Sequence, residues 1–180
     1  MIINKTGEEY LRSLRINYEK YKAMCDKTFE QLEEKDFHFI IDENSNSISI
    51  IIQHISGNLI SRFTNFLKTD GEKPNRNRDS EFEEQKLSKI ELIEKWDKAW
   101  KTLLDAVDDL KNEDLLKTVY IREQPLSVIE ALNRSLTHTV YHVGQIVFLA
   151  KYIKKNDWET LSIPKGKSEE FNKGMMKYKS

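Results

Sequence analysis

The chain has one cysteine, Cys25, among its 180 residues. An intrachain disulfide is therefore excluded, and a cysteine-rich metal site with it. Proline and glycine are scarce, with three and six residues. So few breakers leave room for long helices. Neither sign of charge dominates: the formal net charge is -1. That removes the global basic field that would gather nucleic acid or an anionic membrane surface, so neither is expected as a partner. No apolar run approaches the ~20 residues needed to span a bilayer. The opening residues 1–8 lack the basic-then-apolar pattern of a secretory leader. A cytoplasmic protein is the expectation.

What is present is a third charged residues, 33%, beside 38% hydrophobic ones. The length suits a single domain over residues 1–180 with a sizeable core. The apolar residues recur with helical spacing. Over residues 6–32, Leu11, Leu14, Tyr18, Tyr21, Cys25, Phe29 and Leu32 form one stripe. Residues 33–46 break the period and read as a connection, with His38 as a surface or loop histidine. Ser47 suits the N-cap of a second helix over residues 48–68, carrying Ile48, Ile51, Ile52, Ile55, Leu59, Phe63 and Phe66. Residues 69–83 are almost wholly polar and read as a long loop, which permits a crossover in place of a tight turn.

Ser88 and Glu91 match a capping box that opens a third helix, along which Ile93, Trp96, Trp100, Leu103, Val107 and Leu110 alternate steps of three and four. Thr118 to Ile121 reads as a short extended piece. Ser127 and Glu130 form a second capping box. The fourth helix then covers about residues 126–154, with Ile129, Leu132, Leu136, Val140, Val143, Val147 and Ala150 inward. The fold class is all-α: a four-helix bundle with a long crossover between the second and third helices.

The chemistry concentrates in Leu136-Thr-His-Thr-Val-Tyr-His-Val-Gly-Gln-Ile146. His138 and His142 are four residues apart, which puts both imidazoles on one helix face. His54 lies in the middle of the second helix. The reading is that His54, His138 and His142 share one divalent metal ion inside the bundle. Three imidazoles with no fourth strong ligand leave an open position, the arrangement of catalytic rather than structural zinc. A bound water or thiol would lose its proton more easily there. Thr139 stands where a zincin protease needs glutamate, which disfavours that chemistry. No Glu-x-x-His pair flanks these histidines, which disfavours a carboxylate di-iron bundle. The bland alternative makes His138 and His142 ordinary polar positions, since H-x-x-x-H also arises by chance.

Gly57 and Gly144 lie inside predicted helices at a cost of ~1 kcal/mol each against alanine. Close approach of the second and fourth helices would supply a reason. Asn58 and Gln145 sit near the histidines as pocket residues, with interhelical hydrogen bonding as an equal alternative. Arg62, Arg76 and Arg78 could meet an anionic substrate group, or pair with acids such as Asp79. Trp96, Trp100 and Cys25 read as core.

With Ile51-Ile-Gln-His54-Ile-Ser-Gly-Asn58 and His138-Thr-Val-Tyr-His142-Val-Gly-Gln-Ile146, the chain resembles the DinB/YfiT-like superfamily of metal-binding four-helix bundles. Residues 61–82 and 162–172 make it similar to a bacterial subfamily of unassigned function. The resemblance implies a homodimer and a divalent ion, zinc or nickel among others, on one histidine of the second helix and two of the fourth. It also implies kinship with transferases and isomerases that use low-molecular-weight thiols such as bacillithiol or mycothiol. A metal-dependent thiol S-transferase is the expected activity, with a non-catalytic, stress-related metal-binding dimer as the alternative.

Overall fold

A computed structural model describes residues 5–176; part of the N-terminal stretch weighed as a leader, and the last four residues, lie outside it. The fold is all-α. Four long helices carry it: α1, Lys5–Glu30; α3, Ile48–Phe63; α4, Lys89–Asp108; and α5, Val128–Lys154. A one-turn helix α2, Glu34–Phe37, follows α1, and α6, Ser168–Met176, lies in the tail. The extended piece expected at Thr118 is strand β1, Thr118–Ile121, paired antiparallel with β2, Gln124–Ser127.

Helix starts follow the capping chemistry. The Ser47 hydroxyl accepts from the Ile50 amide at 3.2 Å. Ser88 with Glu91, and Ser127 with Glu130, close as reciprocal capping boxes. Helix ends carry a weaker sequence signal. The second helix stops at Phe63 and not at residue 68, because Thr64 turns extended and Asn65 takes a positive φ of 52°.

The long helices pack as a ring, α3 on α4, α4 on α1, α1 on α5 and α5 on α3. Each turns its stripe to a common core in which Trp96, Trp100, Tyr18, Leu103 and Leu132 are fully buried. Burying a large apolar side chain contributes roughly 1.5–3 kcal/mol. Trp100 meets Tyr18 edge to face with ring centres 6.2 Å apart. Cys25 is buried in the same core.

The expected inward set of the last helix is corrected. Leu136, Val140 and Val147 are only half-buried, while Ser135, Thr139 and Ile146 are buried. Contact with both α1 and α3 turns the buried arc of α5 by about one residue, and small polar side chains fill the closest approach.

α3 is buried on nearly every side, from Ile48 through Ser56. The reason is the crossover, which lies over its outer face. Ser61 donates to the Gly71 carbonyl at 2.7 Å and accepts from the Lys73 amide at 3.1 Å. A 3-10 turn at Asp79–Phe82 packs on α3 as well. His38, outside the histidine cluster as expected, is half-buried and ties the crossover's far end, with its ring nitrogens 2.9 Å from Glu84 and from the Leu87 carbonyl. Among the described residues no helix is long and apolar enough to cross a membrane.

Candidate metal centre

His54 sits mid-helix on α3, and His138 and His142 one turn apart on α5, where the two helices meet. His54 Nε2 lies 3.2 Å from His138 Nε2. Ring centres are 5.2 Å apart for His54–His138, 4.9 Å for His54–His142 and 4.6 Å for His138–His142. One nitrogen from each ring falls within 4.8 Å of the others. Tetrahedral ligands at ~2.0–2.1 Å from zinc would stand roughly 3.3 Å apart. The closest pair already has that spacing, so the three rings could hold a metal ion.

The tautomers suit it. His54 Nδ1–H donates to Glu81 Oε2 at 3.0 Å, which leaves the Nε2 lone pair facing the cluster. His142 Nδ1–H donates to Gln145 Oε1 at 2.7 Å, and Gln145 in turn donates to the Tyr141 hydroxyl at 3.1 Å. Gln145 therefore orients a histidine, as a carboxylate or amide behind a ligating imidazole does.

Glu81 is itself held by the Arg76 fork, Nε to Oε1 at 2.7 Å and Nη2 to Oε2 at 2.8 Å. Phe82 lies against the His54 ring, with centres 4.6 Å apart, and the Arg78 guanidinium stands 5.2 Å from the Phe82 ring centre.

Electrostatics favour neutral rings at His138 and His142. Burial, then the neighbouring His142, His54 and the Arg76 and Arg62 guanidinium groups, lowers His138 to about 4. Burial also lowers His142, against the opposing hydrogen bond to Gln145. Burial alone would raise Glu81; its contacts with His54 and Arg76 outweigh that and hold it below the usual carboxylate value. Metals bind the unprotonated ring, so these shifts keep His138 and His142 available below neutral pH.

Asn58 lines the cavity beside His54 and, among the described residues, makes no hydrogen bond to another helix. Arg62, Arg76 and Arg78 line the same cavity. Arg62 pairs with Glu72, and Arg76 with Glu72 and Glu81; among the described residues neither they nor Arg78 pair with Asp79. The expectation for the two helical glycines is overturned. A Cβ at Gly57 would stand 2.2 Å from Glu81 Oε1, so this glycine makes room for the carboxylate behind His54 and not for α5. A Cβ at Gly144 would meet nothing within 4 Å.

Glu81, Glu72, Arg122 and Arg134 went unseen in the sequence. Periodicity carries no signal across a polar crossover. The single hint is Phe82, an isolated aromatic in a polar run, which marks a point where the loop dips onto the helix.

Residues 5–167 match a family described as "Protein of unknown function (DUF1572)". The chain belongs to this family. The DUF1572 match takes in all three histidines, Glu81 and the whole crossover, and ends one residue before α6. No curated protein matches the chain.

Proposed function

We propose that this DUF1572 protein is a DinB-like divalent-metal protein, with zinc or nickel held by His54, His138 and His142, and that it acts as a thiol S-transferase. The observation that supports it most is the one-sided site. Protein closes His54 from behind through Glu81, while His54 and His138 face a cavity of about 180 Å³. Three protein ligands with one open side suit catalysis better than a structural role.

When bound, the cation would supply Lewis acidity that lowers the pKa of a low-molecular-weight thiol such as bacillithiol. The chain's own part is positional. Glu81 and Gln145 fix two imidazole tautomers, Asn58 offers an uncommitted amide at the cavity wall, and the Phe63 and Phe66 side chains keep one wall apolar. Cys25 takes no part, because it is buried in the core and burial raises its thiol pKa well above the ordinary value.

One observation favours a metal-binding protein without turnover: the cavity is smaller than the ~300–1,000 Å³ of usual ligand pockets. The two readings separate in an assay of zinc-loaded protein with bacillithiol and a model electrophile. Thiol-dependent product that disappears in His142→Ala supports the transferase. Stoichiometric zinc with no product from any cellular thiol supports the non-catalytic reading.

A further inference from the structure

The cavity beside the histidines is lined by five arginines, Arg62, Arg76, Arg78, Arg122 and Arg134, and by no aspartate or glutamate. Two carboxylates stand behind them. Glu72 takes Arg62 at 3.0 Å, Arg76 at 3.4 Å and Arg122 at 3.0 Å. Glu81 takes Arg76 and is shared with His54. The nearby Asp70 is committed to backbone amides of the hairpin turn and of Glu72. Among the described residues, Arg78 and Arg134 have no ion pair at all.

Arg62 stands among them on the cavity wall. Its side chain is 11% exposed, and Nη2 is bound to Glu72. Its Nη1 is buried with no hydrogen-bond partner. That atom is closed off from the cavity as the side chain stands, so what an anion in the cavity would meet is the acid-free arginine wall and the unpaired Arg134. The surroundings hold it there. A Cβ at Gly71 would stand 3.0 Å from Arg62 Cδ and 3.2 Å from Ile121 Cγ1, so the crossover packs closely on the Arg62 side chain here.

We propose that this cavity is an oxyanion subsite, and that the substrate is a small molecule whose carboxylate or phosphate group sits on Arg62 and Arg134 with its reacting end toward His54 and His138. The direction of the reacting end rests on the metal-centre reading; the anion site does not. Guanidinium forks match both oxyanions in geometry. Size limits the occupant: the cavity holds roughly six waters' worth of volume, so the buried part is a short carboxylate or phosphate fragment, not a nucleotide. Phe63 and Phe66 on the wall leave an apolar flank for its carbon skeleton.

The test is calorimetric titration of metal-free protein with malonate and, separately, with inorganic phosphate, on the wild type, Arg62→Gln and Arg134→Gln. Zinc affinity of each is read independently by chelator competition. The proposal expects one-to-one binding of at least one anion, the tighter of the two telling carboxylate from phosphate. Each variant should weaken it about tenfold, the loss of one charge-assisted contact. Zinc affinity should hold or rise, since a repelling charge is removed. Arg134 is exposed and unpaired, so Arg134→Gln remains folded should Arg62→Gln fail. Absence of binding by either anion, or binding that Arg134→Gln leaves unaltered, overturns the subsite. Absence of zinc binding by the wild type, with anion binding intact, overturns the metal reading and leaves the subsite standing.

Discussion

Glu81 Oε2 lies 3.0 Å from His54 Nδ1, across a gap that exists because residue 57 has no side chain. This pair joins the crossover to the histidine cluster and sets which nitrogen His54 turns inward.

Substituting Glu81→Gln should therefore weaken zinc binding by about 10–100-fold, the usual effect of losing a partner behind a ligating histidine. Arg76 would also lose half of its fork, so unfolding in urea should begin earlier. Competition against a chromophoric chelator measures the first effect. Unchanged affinity would remove Glu81 from the account of the site.

The two helical glycines make an internal control. Gly144→Ala adds a methyl into open space and should stabilise the protein by about 0.5–1 kcal/mol through helix propensity. Gly57→Ala offers the same propensity gain but drives a carbon to 2.2 Å from Glu81 Oε1. It should lose stability and zinc affinity together. Urea melts of both variants, with and without zinc, give the comparison; equal stabilisation by both would contradict the packing.

Acid should unfold the metal-free protein in a defined window. His138 titrates near 4 in the fold against 6.5 free, chiefly through burial. The unfolded chain therefore takes up the proton first. The contribution to stability is complete above pH 6.5 and is lost as pH falls toward 4. His142, lowered in the same direction, adds to the loss. Melts of metal-free wild type and His138→Gln between pH 7.5 and 4 should diverge, with the variant less sensitive. Parallel curves would contradict the buried, neutral imidazole.

The β-hairpin beside the cavity turns on Arg122 and Glu123, which have φ of 55° and 62°. Left-handed backbone costs non-glycine residues about 1–2 kcal/mol each. Asp70 offsets it by accepting both turn amides, at 2.9 and 2.7 Å. Asp70→Ala should destabilise the protein by about 1–2 kcal/mol and raise hydrogen exchange at those two amides before any other. Slow exchange retained there would show that the turn stands without Asp70.

The parts legible in the sequence share one cause: they repeat. The stripes of α1, α3 and α4, the three serine caps, and the one-turn spacing of His138 and His142 all follow from 3.6 residues per turn and from orphan amides at helix starts. His54 was legible by elimination, as the one remaining histidine that falls inside a helical pattern. The crossover was legible only as a loop. Its pairing of Glu81 with His54, 27 residues apart, depends on a fold of the chain that no local pattern encodes. The arginine wall was visible in part, since Arg62, Arg76 and Arg78 fall close together in sequence. Arg122 and Arg134 reach it from the hairpin and α5, and only the packed structure unites them. The shifted inward face of α5 has the same origin: one helix serving two neighbours shows a wider buried arc than a single seam predicts.

The measurement that bears most directly on the metal centre is the zinc content of protein prepared without a polyhistidine tag and dialysed against metal-free buffer. The account predicts one retained ion per chain, lost in His54→Ala and in His138→Ala while their helical content persists. Retention well below stoichiometric, or the same content in the wild type and in both variants, would contradict it.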